Sequence, residues 1–293
     1  MRGAAATRLL ASCELCPRMC GADRLAGKRG VCGAADELRV ARSALHFWEE
    51  PPISGEAGSG TVFFSHCPLH CIYCQNAGIA NGQVGRDITV ERLAECYLEL
   101  QSQGALNINL VTATHYAVQA VAALDRARAC GLSIPVVWNT SGYERAELVR
   151  ALNGTVDVWL TDLRYARPET AKAFSAAPDY PEVARSAIAA MAQSDAQVIV
   201  RILALPGHVE EAFENVAWLV NTFGERVTLS MMSQYTPMGA FPQHPELEQR
   251  VDPDEFDALL DFVDSLGVEE YFWQEGEAAL ESFIPDFEAC EGV

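Results

Sequence analysis

From Thr61 onward the chain alternates between two hydrophobic patterns. Short apolar runs bounded by Gly, Pro or Asn read as buried strands, and longer stretches with apolar residues three and four apart read as helices. Thr61-Val62-Phe63-Phe64 predicts a strand over 61–65. Leu93, Cys96, Tyr97 and Leu100 share one face of a helix over 89–103, with Thr89 as its cap and Gly104 as its stop. The same reading gives strands at 106–111, 135–140, 156–161, 197–205 and 227–232. It gives helices at 117–130, 143–152, 209–222 and 253–266, and a looser helical stretch over 168–193. Upstream, 36–46 reads as a strand or hairpin and 49–60 as a loop rich in Pro and Gly. Downstream, 268–273 reads as a short additional strand.

Counted from Thr61, these are six βα units. Repeated βαβ units build a parallel sheet with right-handed crossovers. The expected fold class is therefore α/β, a partial (β/α)6 parallel barrel. A Cys-rich extension over 1–56 precedes the barrel of 57–270, and an acidic tail over 271–293 follows it.

With 293 residues, 49% of them hydrophobic, the chain can bury a sizeable core. The net charge of -19 repels phosphate backbones and argues against a nucleic-acid partner. No apolar run approaches a membrane span. The segment Leu10-Ala11-Ser12-Cys13 resembles a lipoprotein cleavage site, but the apolar stretch before it is too short for a signal peptide. The expectation is a cytoplasmic protein whose ten cysteines stay reduced, so that clustered ones serve as metal ligands.

Two such clusters stand out. Cys67, Cys71 and Cys74 read C-x3-C-x2-C directly after the first strand. A cubane iron–sulfur cluster takes four thiolates, so three leave one iron open. Cys13, Cys16, Cys20 and Cys32 read C-x2-C-x3-C-x11-C, with Gly21, Gly27 and Gly30 allowing tight bends around a metal. Four thiolates suffice for structural zinc or for a second iron–sulfur cluster, and spacing alone does not separate the two. Cys96 and Cys130, on helices, read as buried inert thiols, and Cys290 as isolated in the acidic tail.

Sites in parallel α/β folds form at the carboxyl ends of the strands. Those ends carry Thr112 and Thr114 with His115, Asn139 and Ser141, Asp162 with Arg164, Arg201, Pro206-Gly207-His208, and Ser233-Gln234-Tyr235. Asn139 and Ser141 also suit helix caps, and Asp162 with Arg164 also suits a surface pair. His115 and His208 also suit ordinary loop hydrogen bonding. Arg201, flanked by Val200 and Ile202, should face the lumen or pair with a carboxylate. Trp138 and Trp159 read as core.

The C-x3-C-x2-C motif, with Tyr73 before its last cysteine and six βα units after it, resembles the radical S-adenosylmethionine (SAM) superfamily over about 57–270. Asp162-Leu163-Arg164-Tyr165 and Leu205-Pro206-Gly207-His208 look most similar to its pyruvate formate-lyase activating-enzyme-like branch. The N-terminal C-P-R-x-C-G pattern resembles a subgroup of that branch. The resemblance implies a 4Fe-4S cluster on Cys67, Cys71 and Cys74, with SAM on the fourth iron. One electron would cleave SAM to a 5′-deoxyadenosyl radical that abstracts a substrate hydrogen. It implies Tyr73 beside the adenine, Thr112, Thr114, Asn139, Ser141 and Asp162 around SAM, and Arg201 on its carboxylate. A low-potential donor such as flavodoxin or ferredoxin is implied, and a glycyl radical enzyme as protein substrate. A small metabolite or a peptide is the alternative substrate, and an iron–sulfur electron carrier the non-enzymatic one. The chain departs from the family where a Gly-Gly-Glu type motif usually holds the SAM amine: here the residues are Thr112-Ala113-Thr114-His115.

Overall fold

In the computed structural model, residues 4–273 and 285–293 are described. Among the described residues nine strands form one sheet: β1 Leu38–His46, β2 Ser59–Phe64, β3 Arg86–Ile88, β4 Ile108–Val111, β5 Val136–Thr140, β6 Val158–Asp162, β7 Gln197–Leu203, β8 Thr228–Met232 and β9 Phe272–Trp273. The helices are α1 Ala4–Ala11, α2 Pro51–Ser54, α3 Ala77–Ala80, α4 Val90–Ser102, α5 Ala117–Ala129, α6 Ala146–Ala151, α7 Pro168–Ser175, α8 Tyr180–Ala192, α9 Val209–Phe223 and α10 Pro253–Ser265. The strand order is β3-β1-β2-β4-β5-β6-β7-β8-β9. From β2 rightward every pairing is parallel, with helical crossovers between the long strands. The expected α/β partial barrel is the fold found.

Alternation along each strand separates two environments. Val136, Trp138, Trp159, Val198, Val200 and Ile202 belong to the main core, which includes residues of the surrounding helices. Trp138 and Trp159 are fully buried and meet edge to face at 6.2 Å between ring centroids. The intervening Val137, Leu160 and Ile199 face the concave side, where they pack around Ile53 of α2.

That contact shows a part of the architecture absent from the periodicity. The loop expected over 49–60 contains the short helix α2, started by Pro51 at its first turn, where the missing N–H costs nothing. Through Ile53, α2 closes the amino-terminal end of the sheet like a floor. β1 is antiparallel to β2 and delivers the chain to this floor. The sheet therefore extends into the region assigned to the extension. The 168–193 stretch is two helices, α7 and α8, separated at Ala176, which has φ +48. The short elements α3 and β3 lie between the cysteine loop and α4 and were not expected.

Cys130 departs from its expected burial: it is the C-cap residue of α5 and is exposed. Cys96 is buried, as expected, and its thiol reaches Gly292 O at 3.4 Å. Cys290 is buried as well. Of the acidic tail over 271–293, residues 274–284 lie outside the described residues. The final stretch folds back on β1, with Ser43 N donating to Glu291 O at 2.9 Å and Arg42 pairing with Glu291 at 2.6 Å.

Candidate active site

Above the Ile53 floor the concave face encloses a cavity of about 720 Å³, lined by residues from all six long parallel strands and from the cysteine loop. Its lower layer is polar. Asn139 (β5), Asp162 (β6), Arg201 (β7) and Ser230 (β8) stand side by side on adjacent strands, two positions above Val137, Leu160, Ile199 and Thr228. Arg201 Nε donates to Asp162 Oδ1 at 2.8 Å, its Nη2 to Asn139 Oδ1 at 2.6 Å, and its Nη1 to Glu49 Oε2 at 3.4 Å. Arg164 grips the other oxygen of Asp162 from Nε at 3.0 Å and Nη2 at 2.6 Å. Burial alone would raise the Asp162 carboxyl, but Arg201 and then Arg164 hold it below the usual carboxylate range. Asp162 and Arg164 are thus a lumen pair rather than a surface pair. Arg201 faces the lumen and pairs with carboxylates, as its apolar flanks required, and all three of its guanidinium nitrogens are engaged.

Glu49 and Glu50 complete this layer. Sequence reasoning missed them because two acidic residues beside Pro51-Pro52 look like a solvated loop. Glu49 Oε1 accepts from Asn109 and Asn139, each at 3.1 Å. Ser230 Oγ donates to Glu50 Oε1 at 3.0 Å. Burial pushes both carboxyls above the usual range, against the pull of Arg201.

The cysteine loop forms the opposite wall. Cys67, Cys71 and Cys74 all line the cavity. His66 at φ +71 and His70 at φ +58 turn the backbone around the thiols. Leu69 N donates to Cys67 Sγ at 3.4 Å, Arg164 Nη1 to Cys71 Sγ at 3.0 Å, and Ser175 Oγ to Cys71 Sγ at 3.2 Å. Burial, with Cys71 and Cys67 nearby, pushes the Cys74 thiol up to about 12. Among the described residues no three His, Cys, Asp or Glu side chains converge on a single metal ion. The fit therefore rests on the donor set. Three soft thiols on one loop, with N–H and guanidinium donors on their sulfurs, suit an iron–sulfur cluster held by three ligands.

The remaining sequence candidates divide. Thr112 and Ser141 line the cavity beside the thiols. Thr112 has φ +59, which is strained for a β-branched residue and points to a constrained position at the lumen edge. Thr114 is turned away from the cavity by the following 3-10 turn. Its Oγ1 donates to the buried Glu144 Oε1 at 2.5 Å, so it offers nothing to a ligand in the lumen. Tyr73 lines the cavity with its ring, while its hydroxyl meets that of Tyr165 at 2.7 Å. His115 is buried behind the wall on Ser65 O at 2.8 Å, and His208 contacts Glu211 at 3.3 Å; neither reaches the lumen.

The N-terminal extension sits directly on the cysteine loop. Arg18, between Cys16 and Cys20, donates to Pro68 O at 2.9 Å, Leu69 O at 3.3 Å, Ser175 O at 2.9 Å and Ala176 O at 2.6 Å. His70 Nε2 meets Val31 O at 3.0 Å. The ring of His66 fills the space that side chains at Gly33 and Gly82 would otherwise occupy. Cys13, Cys16 and Cys32 are buried and Cys20 is half-buried. A methyl group on Gly30 would lie 3.2 Å from Cys20 Sγ and 3.4 Å from Cys32 Sγ, so these two thiols flank one crowded backbone position.

Comparison with solved structures shows the same fold at low identity. A radical SAM methyltransferase from Sphaerobacter thermophilus is 14% identical with a TM-score of 0.51, covering 74% of this chain and 67% of that one. Streptococcus suis SuiB bound to S-adenosylmethionine is 11% identical with a TM-score of 0.50, covering 74% of this chain and 50% of that one. SuiB bound to its precursor peptide SuiA gives 11% and 0.51, covering 72% and 46%. The chain thus spans about half the length of SuiB. An uncharacterized protein of Methanocaldococcus jannaschii is 25% identical over 277 residues, 90% of this chain and 78% of that protein. The Radical SAM superfamily model matches residues 61–220, from the first parallel strand into α9. That match spans more than half of the chain, and the chain belongs to the radical SAM superfamily.

Proposed function

We propose that the lumen binds SAM against a 4Fe-4S cluster on Cys67, Cys71 and Cys74 and directs hydrogen abstraction at a segment of a partner polypeptide. Radical SAM proteins are enzymes that use these two cofactors for reductive cleavage of SAM. Once bound, the pair supplies one-electron scission of the sulfonium and the hydrogen-abstracting power of the 5′-deoxyadenosyl fragment.

The chain's own residues prepare the site. Asp162 fixes Arg164, which donates to Cys71 Sγ and so ties the lumen's charge network to the cysteine loop. Thr112, Ser141 and Gln234 line the cavity with groups able to bond SAM's polar atoms, in place of the absent Gly-Gly-Glu type motif. The ring of Tyr73, edge-on to Phe174 and Tyr235 at 6.0 and 5.9 Å, offers the adenine an aromatic neighbour and keeps water from the wall. The observation that carries this reading is the three-thiol loop facing a polar layer across one cavity. A volume of about 720 Å³ suits one drug-sized ligand with room for a side chain or short loop. Anaerobic reconstitution followed by SAM and dithionite tests it: 5′-deoxyadenosine is expected, and its absence refutes the radical reading.

For the substrate we favour a glycyl radical enzyme, on the strength of the Asp162-Leu163-Arg164-Tyr165 and Leu205-Pro206-Gly207-His208 motifs. A low-potential flavodoxin or ferredoxin would serve as donor in the cytoplasm. Among the described residues no helix is long and apolar enough to cross a membrane. Appearance of a glycyl radical EPR signal in a co-incubated partner tests this form. Modification of a peptide is the second reading, supported by the likeness to SuiB bound to its precursor peptide.

We assign Cys13, Cys16, Cys20 and Cys32 to a second metal site, supported by their burial and by the direct seating of this segment on the catalytic loop through Arg18. Iron and zinc counted per chain, before and after Cys13→Ala and Cys16→Ala, test the site. A metal content unchanged by both substitutions would refute it.

A further inference from the structure

Among the described residues, the polar layer holds more carboxyls than guanidiniums. Of these residues, three carboxyls, Glu49, Glu50 and Asp162, and two guanidiniums, Arg164 and Arg201, stand around the lumen. Both guanidiniums are spent. Arg164 bonds Asp162 and Cys71, and Arg201 bonds Asp162, Asn139 and Glu49. Glu49 takes two amide donors besides Arg201. Glu50 accepts from Ser230 on Oε1, and its Oε2 has no hydrogen-bond partner among the described residues. Its side chain lines the cavity although the residue is only 4% exposed.

Such an oxygen is costly to leave bare, since burial strips it of water without replacing the lost hydrogen bonds. The fold fixes its backbone there: Glu50 caps α2, with Ile53 N and Ser54 N donating to its carbonyl. Oε2 needs a donor, and the surplus carboxyl of the layer favours a donor that carries positive charge. Glu50 also lies on the floor side of the lumen, against Ser230 of β8, whereas the thiols, Thr112 and Ser141 lie at the carboxyl ends of the strands. A group bound at Glu50 therefore leaves the cysteine-loop side free for the cofactor and presents its neighbouring carbons toward it.

We propose that Glu50 receives a cationic nitrogen of the substrate, an alkylammonium or guanidinium group, in the recess between Ser230 and the Glu49–Arg201 pair. This rests on the reading of the lumen as the substrate chamber of a radical SAM enzyme and names the chemical class of what enters it. On a polypeptide substrate the group is a lysine or arginine side chain or a free amino terminus.

The test is titration calorimetry on the reconstituted, SAM-loaded protein with N-acetyl-lysine amide and N-acetyl-arginine amide, against the neutral N-acetyl-norleucine amide. At least one cationic amide is expected to bind wild type tenfold or more tightly than the norleucine amide, about 1.4 kcal/mol. Glu50→Gln is expected to erase that preference. Equal binding of all three amides to wild type overturns the proposal, and this comparison needs no variant to fold. A Glu50→Gln protein that loses SAM affinity tenfold while keeping the cationic preference also overturns it, because Oε2 then serves SAM's own ammonium. Production of 5′-deoxyadenosine is assayed in the same preparations. Its absence would refute the radical reading, while the amide comparison would still decide the cation site.

Discussion

Asp162→Asn tests the structure where fold and site meet. The carboxylate accepts from Arg201 at 2.8 Å and from Arg164 at 3.0 and 2.6 Å, and its side chain is only 13% exposed. Removing its charge leaves two guanidiniums in the lumen without their common counterion. Breaking a buried pair from one side costs about 3–5 kcal/mol. In a chain of this size each kcal/mol moves the melting temperature by roughly 2–4 °C, so a fall of roughly 10 °C is expected. The pH dependence carries a sign. Because the two arginines depress the folded-state carboxyl, its stabilising contribution is present above the unfolded value near 3.9 and is lost as pH falls through the folded value. The gap between wild type and variant should thus be full at pH 7 and close in acid. Thermal denaturation across pH 3–8 reads both quantities. A melting temperature within about 2 °C of wild type at pH 7 would refute the claim that Asp162 anchors the lumen.

Three further perturbations follow from single contacts. Glu144 is buried with Oε1 bonded to Thr114, Thr140 and Trp138 and with Oε2 unpartnered among the described residues, and burial raises its carboxyl. Ionised Glu144 then weakens the fold as pH rises above the unfolded value near 4.3. Glu144→Gln should match or exceed wild-type stability at pH 8 and lose that advantage near pH 4, as read by melting curves. Gly82, at φ +69, abuts the His66 ring, so Gly82→Ala should destabilise by about 1–3 kcal/mol in chemical denaturation and lower the iron retained after reconstitution. Arg18→Ala removes the donor to four backbone carbonyls around the cysteine loop. It should cost about 2 kcal/mol and speed loss of the cluster's visible absorbance in the presence of a chelator.

What was legible in the sequence follows from where physics acts locally. Strands such as Val136–Thr140 and Val158–Asp162 are buried on both faces, so they read as apolar runs, and their polar ends announced Asn139 and Asp162. Arg201 was legible because a lone cation between Val200 and Ile202 has few places to go. Three spaced thiols needed no fold to be recognised. The floor was not legible: α2 has only four residues, too few for a helical period, and its role depends on Ile53 meeting Val137, Leu160 and Ile199 from distant strands. Glu49 and Glu50 were hidden for the same reason, since an acidic loop pair looks solvated until the sheet closes over it. The different placements of Thr112, left-handed at φ +59, and Thr114, which opens a 3-10 turn, are backbone effects that composition does not signal.

The central claim is that the Cys67–Cys74 loop and the polar lumen together cleave SAM. Its most direct measurement is 5′-deoxyadenosine formed from SAM and dithionite by anaerobically reconstituted wild type, beside Cys71→Ala. Wild type carrying a full cubane cluster is expected to form 5′-deoxyadenosine and methionine in equal amounts, and the variant neither. A wild-type protein with its cluster intact that binds SAM yet releases no 5′-deoxyadenosine would contradict the account.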